Sequence, residues 1–265
     1  MRLKIKHTTQ YDYEEPVGYA LQKARLRPVA SGLQELHHWD VSVEGGKIET
    51  AYQDHYGNHV DLVSAEPGVK KLVLTAEGEA TTHDTLGVLG KVYGRAPLWH
   101  FRQPTAFTAP GAQVRALAET VTSADAPLDG LHALSQVILK AVPYLADQTN
   151  ASTTAEEAIE IGQGVCQDHA NIFVAAARAA GLPARYVSGY LLMSDRVDQD
   201  ATHGWAEVHL DDLGWVGFDV SNGVSPDEKY LRIAIGRDAN DATPISGLRM
   251  GSGAEALIVS LQVQQ

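Results

Sequence analysis

Residues 162–181 read Gly-Gln-Gly-Val-Cys-Gln-Asp-His-Ala-Asn-Ile-Phe-Val-Ala-Ala-Ala-Arg-Ala-Ala-Gly, and the rest of the chain is organised around them. Two glycines precede Cys166, the single cysteine of the protein, and an alanine-rich run carrying Ile172, Phe173 and Val174 follows it. The pattern predicts a loop feeding a helix, with Cys166 near the helix N-terminus and Gly181 and Pro183 ending it. Unpaired N–H groups and the positive end of the helix dipole favour an anion at that position, and the thiolate is the nucleophilic form of cysteine. A lone cysteine before such a helix is equally a small buried hydrophobe, and only a base with a group to orient it decides between the two.

The second half of the chain offers that pair. Residues 185–192 read as a strand, and so does His203-Gly-Trp-Ala-Glu-Val-His-Leu, in which alternation puts His203, Trp205, Glu207 and His209 on one face. Asp211, Asp212 and Gly214 turn the chain, and Trp215-Val-Gly-Phe-Asp-Val runs back, leaving Asp219 at the end of an apolar strand. A hairpin joining these strands brings the start of the first beside the end of the second, so His203 and Asp219 become neighbours. The carboxylate would hold the imidazole, the imidazole would take the thiol proton, and the helix would favour the thiolate.

Composition bounds the partners. The chain has 265 residues, 44% hydrophobic and 20% charged, as expected of a globular protein with room for two domains. A net charge of -12 argues against a nucleic-acid backbone or an anionic membrane surface as partner. One cysteine forms no internal disulfide, no run is long enough to cross a bilayer, and the N-terminus lacks an apolar leader, so a cytoplasmic address is expected.

Upstream of the cysteine the pattern changes. Residues 3–83 alternate as short strands punctuated by Pro16, Gly45-Gly46 and Gly57-Asn58, which suggests a β-sandwich-like unit. His55 and His59 flank a turn rather than sharing a helix face and have no third ligand nearby, so a zinc site is not expected there. Residues 85–111, rich in Gly and Pro, read as a connector lying over a domain surface. Val114, Leu117, Ala118 and Val121 share one helical face, as do Leu131, Leu134, Ile138 and Val142. Thr153 and Thr154 followed by Glu156 and Glu157 open a short helix that delivers the chain to Gly162.

Three stretches together resemble the transglutaminase-like superfamily, in its bacterial cysteine-protease branch with an N-terminal β-rich domain. They are residues 162–170 with Gly-Leu-Pro-Ala-Arg-Tyr-Val-Ser-Gly-Tyr at 181–190, His-Gly-Trp-Ala-Glu-Val at 203–208, and Gly-Trp-Val-Gly-Phe-Asp-Val-Ser-Asn at 214–222. His-Thr-Thr-Gln-Tyr-Asp-Tyr at 7–13 and Asp-His-Tyr-Gly-Asn at 54–58 extend the likeness to the N-terminal half. The resemblance implies an α+β protein: an N-terminal β-sandwich-like domain over 1–84, a connector over 85–112, and a papain-like catalytic core of helices packed on an antiparallel sheet over 113–265. It also implies a Cys166, His203, Asp219 triad. Where this chain has His169, Gly204 and Asp219-Val-Ser-Asn, the family commonly has an aromatic, an alanine and Asp-Pro-Thr-Asn.

The expected chemistry is acyl transfer from a peptide or protein amide through a thioester, with no cofactor and no metal. Water as acceptor makes the protein a protease or amidase, and an amine makes it a transferase. A binding module that keeps the three side chains as a hydrogen-bonded cluster, and a zinc ion held by Cys166, His203 and Asp219, stand as alternatives. The oxyanion is expected on the Cys166 N–H with Gln163 as a candidate second donor. His169, three residues along the same helix face, is either a competing base or part of the site wall. Trp205, on the His203 face, is a candidate for shaping the cleft, as is Glu207.

Overall fold

The computed structural model describes residues 1–91 and 95–265. Its N-terminal half begins with β1 (Arg2–Tyr13), whose inward positions Leu3, Ile5, His7, Thr9, Tyr11 and Tyr13 are all buried. β2 (Tyr19–Ala24), β3 (Gln34–Glu44), β4 (Gly46–Gln53), β5 (His59–Ala65) and β6 (Lys71–Thr82) follow. The short β7 (Val88–Gly90) comes next, and a 3-10 turn spans His100–Arg102. Four helices succeed them: α1 (Ala112–Thr122), α2 (Pro127–Ala141), α3 (Ala155–Ile161) and α4 (Cys166–Ala179). The remaining strands are β8 (Ala184–Leu191), β9 (Asp198–Gln199), β10 (His203–Leu210), β11 (Gly214–Phe218), β12 (Tyr230–Gly236), β13 (Ile245–Met250) and β14 (Glu255–Gln264).

Among the described residues the strands form three antiparallel sheets, so the architecture is α+β. Two of them, in the orders β3-β6-β1-β14-β9 and β13-β2-β5-β4, face each other across Tyr11, Val41, Leu72 and Leu74 on one side and Ala20, Ala24 and Val63 on the other. This is the sandwich that alternation over positions 3–83 predicts. The third sheet, β12-β8-β10-β11-β7, carries the helices on one face, where Leu131, Leu134, Ile138, Ile172 and Phe173 pack on Ala206, Val208, Val216 and Phe218.

The helix boundaries follow from their caps. Thr154 Oγ1 accepts from the Glu157 N–H, and Glu157 Oε2 accepts from the Thr154 N–H at 2.8 Å, so α3 starts with a reciprocal box. Gly162, with φ of 73°, then turns the chain out of α3 in a conformation costly for any side chain. α2 begins with Pro127, whose missing N–H would be unpaired there in any case.

The last two strands pair with the first half of the chain: β13 runs beside β2, and β14 runs beside β1 from Lys4–Gln264 to Tyr13–Glu255. The sequence expectation grouped both strands with 113–265, because local alternation does not reveal a partner near the opposite end of the chain. The connector also divides. β7 pairs with β11, Phe101 is buried against Trp215, and the Arg178 side chain donates to the Phe101 carbonyl and to Thr108 Oγ1. The middle of the expected connector, residues 92–94, lies outside the described residues.

The sandwich meets the third sheet through Leu3, Ile5, Leu261 and Val263 on one side and Tyr190, Leu231 and Ile233 on the other. His7 sits in this seam, with Nδ1 3.0 Å from Tyr190 Oη and Nε2 3.1 Å from Thr9 Oγ1. Burial pushes its titration down from 6.5 to about 4. Between those values the unfolded chain binds a proton that the folded chain refuses, so stability falls as pH falls through this window. Urea unfolding at stepped pH should show this acid loss, and His7→Gln should flatten it.

Candidate active site

The loop before α4 is shaped for close approach. Gly164 pairs with Tyr144 as an isolated parallel bridge, and an added Cβ at 164 would lie 2.8 Å from Asp168 Oδ2. That carboxylate is buried and already engaged: Oδ2 accepts from the Val165 N–H at 2.8 Å and from Thr149 Oγ1 at 2.6 Å, which fixes the start of α4. Cys166 is the first residue of the helix and is half-buried. Its N–H belongs to the first turn, where no intrahelical carbonyl reaches.

The β10–β11 hairpin brings its two expected residues together. His203 opens β10, Asp219 follows β11, and Nε2 of the imidazole donates to Asp219 Oδ2 at 2.7 Å. That bond leaves Nδ1 as the other ring nitrogen. Burial works against a charged imidazole here, yet the hydrogen bond and charge of Asp219, joined by Cys166, outweigh it and push His203 up to about 10. Asp219 is fully buried. Burial would raise its titration, but the contacts with His203, Asn222 and Tyr230 hold it below the usual carboxylate range.

Two of those contacts were not assigned from sequence. Asn222 donates its side-chain N–H to Oδ2 at 2.7 Å and its backbone N–H to Oδ1 at 3.3 Å, and Tyr230 Oη donates to Oδ2 at 2.7 Å. Asn222 lies three residues after Asp219 in a tight turn closed by the Asp219–Val224 bridge, so an Asp-x-x-Asn spacing was a usable signal. Tyr230 enters from β12, which pairs with β8 and not with the hairpin, and nothing local announces it.

The remaining expected residues sit behind the site. His169 is 1% exposed; its Nε2–H donates to the Val142 carbonyl at 2.7 Å, and Ser221 Oγ donates to Nδ1 at 2.8 Å. Both ring nitrogens are occupied, and burial lowers its titration. Trp205, 3% exposed, stacks on the His203 ring with 6.2 Å between centroids and lies across Gly189, where an added Cβ would come within 2.5 Å of the indole. It fixes the imidazole plane and has little surface to offer a substrate. Gln163 is half-buried, and its side chain makes no hydrogen bond among the described residues. Glu207 is taken up by buried ion pairs with Arg185 and Arg232. Among the described residues no three His, Cys, Asp or Glu side chains converge on a metal position, and no helix is long and apolar enough to cross a membrane.

Comparison with known proteins gives the family and the fold. The family model described as "Transglutaminase-like superfamily" matches residues 115–220, and that described as "Bacterial transglutaminase-like N-terminal region" matches residues 3–81. The chain belongs to the transglutaminase-like superfamily. The matched transglutaminase-like core runs from α1 to just beyond Asp219, and so contains Cys166, His203 and Asp219 together. An uncharacterized protein of Mycobacterium leprae is 26% identical over 275 residues, covering 99% of this chain and 98% of that one. An uncharacterized protein of Mycobacterium tuberculosis is 27% identical over 292 residues, covering 99% and 92%. In three dimensions the crystal structure of "a Putative Cysteine Protease from Cytophaga hutchinsonii" superposes with a TM-score of 0.80 at 21% identity, covering all of this chain and 90% of that one. The two-part transglutaminase-like fold is therefore shared along its whole length.

Proposed function

We propose that the protein is a cysteine-dependent amide or peptide hydrolase in which Cys166 is the nucleophile, His203 the proton carrier and Asp219 the group that orients and charges the imidazole. The observation that carries this reading is an imidazole bonded at 2.7 Å to a buried carboxylate and raised to about 10 by that carboxylate and by Cys166. A nucleophile, a base and an orienting group in one place are what acyl transfer requires. Cys166 adds to the carbonyl carbon, His203 gives its proton to the departing amine, and the resulting thioester is hydrolysed by water that His203 deprotonates. The neighbouring fold described as "a Putative Cysteine Protease" supports a peptide or protein as substrate.

Alkylation tests the nucleophile directly. A cysteine nucleophile served by its own base should react with iodoacetamide at about pH 6.5 some ten- to a hundredfold faster than a free cysteine peptide. Mass spectrometry should place the label on Cys166. Cys166→Ser should stay folded, take no label and cleave no peptide in a library that the wild type cleaves. Labelling no faster than the free peptide would overturn the assignment.

A further inference from the structure

One polar group at this site has no assigned task. Tyr186 lies on β8 opposite Ala206 of β10, and it shares a small buried cluster with Ala239, Ala242 and Ala170, the last one turn into α4 from Cys166. Its hydroxyl ends over Gly204, the residue after His203. A Cβ built on Gly204 would lie 1.9 Å from Tyr186 Oη and 2.7 Å from Cζ, so the glycine is the vacancy into which the phenol fits. Gly204 has no positive φ to explain it. The requirement there is space, and the two residues are matched.

The hydroxyl itself is unpartnered. Tyr186 is 5% exposed, yet its Oη makes no hydrogen bond among the described residues, whereas a buried tyrosine ordinarily finds a partner. Neither is it among the buried polar atoms sealed without a partner, which are Tyr13 Oη, Asp168 Oδ1, Asn171 Nδ2 and His209 Nδ1. Burial first, and then the charge of Cys166 ahead of Asp168, Asp219 and Asp238, holds the phenol protonated well above its ordinary range. A neutral donor held over the residue that follows His203, with its proton unspent, is suited to a charge that exists only during reaction.

We propose that the Tyr186 hydroxyl is the second oxyanion donor, acting with the Cys166 N–H on the carbonyl oxygen of the substrate. This rests on the assignment of Cys166 as nucleophile. As the sulfur lone pair forms the C–S bond, the carbonyl π pair moves onto oxygen, and Tyr186 donates a hydrogen bond to it without losing its proton. When that pair returns, the C–N bond breaks and the amine leaves with the proton from His203. No further reactant is needed.

Two reactions of the same sulfur separate this role from others. Acylation by 4-nitrophenyl acetate passes through an oxyanion, whereas alkylation by iodoacetamide does not. Tyr186→Phe should slow Cys166 acylation on the order of a hundredfold while alkylation changes less than about twofold. Gly204→Ala, which drives a methyl group into the hydroxyl, should give the same selective loss and guards against a folding defect in the first variant. Acylation at the wild-type rate in Tyr186→Phe overturns the proposal while leaving the nucleophile intact. Equal slowing of both reactions also overturns it, since the hydroxyl would then act on the sulfur. Wild-type acylation that persists in Cys166→Ser overturns the nucleophile assignment and this inference with it.

Discussion

Asp219→Asn is expected to lower peptide turnover by roughly 10³- to 10⁴-fold with substrate binding little changed. The carboxylate receives four donors: the His203 ring, the Asn222 side chain and Tyr230 on Oδ2, and the Asn222 backbone on Oδ1. An asparagine can turn its carbonyl towards the three donors on Oδ2, but its NH2 then faces the Asn222 N–H, donor against donor. More costly is the loss of charge, because the imidazolium is left buried without its counter-ion. The His203 titration, followed by NMR of the ring nitrogens, should fall from about 10 towards its ordinary 6.5. The sign of the stability effect follows. In the wild type the folded chain keeps this proton up to about 10 and the unfolded chain releases it near 6.5, so the pair's contribution is full below 6.5 and is lost as pH rises between those values. The variant should lack most of that alkaline loss, and a variant with wild-type turnover would remove Asp219 from the mechanism.

The second large effect concerns stability. Glu207 is 1% exposed and accepts from Arg185 Nε at 2.6 Å on one oxygen and from Arg232 on the other. Arg185 also lies flat over the Trp215 ring, 3.8 Å from its centre. Burial pulls Arg185 down to about 9 and Arg232 well below its ordinary value, so both guanidiniums depend on this single carboxylate. Removing one partner of a buried ion pair leaves an uncompensated charge, so Glu207→Ala should cost about 3–5 kcal/mol in urea unfolding. Glu207→Gln, which preserves shape and one acceptor, should cost less. Equal stability of Glu207→Ala and the wild type would mean that water reaches the cluster. Glu207 lies on the same strand as His203, so any loss of packing there should also loosen the imidazole.

What the sequence made legible and what it hid divide along one physical line, the distance over which a pattern acts. The helix start at Cys166, the capping box at Thr154 and Glu157, and the approach of His203 to Asp219 are consequences of neighbouring residues or of one tight hairpin, so each can be read locally. The sandwich strands announce themselves in the alternation of Leu3, Ile5 and their successors. Tyr230, Ser221 and Tyr186 come to their places through pairings and packing that are set elsewhere, and a tyrosine on an apolar strand looks the same in sequence whether its hydroxyl is idle or has a task. Glu207 was expected near the cleft because it shares a face with His203. The face is right, but two arginines from β8 and β12 hold its carboxylate deeper along the strand. The two closing strands were grouped with the helical core for the same reason, since β13 and β14 carry no mark of the strands they join.

That last pairing sets the order in which the molecule can be completed. β1 occupies an interior place between β6 and β14, and the first contact of the second edge joins Tyr13 to Glu255. During synthesis the opening ribbon emerges first but must wait for about 240 further residues, on the order of 10 to 50 s of translation, before its second neighbour exists. Throughout that interval the nascent chain presents a bare ladder edge to its surroundings, and the amino-terminal half closes only after Cys166 has already left the ribosome.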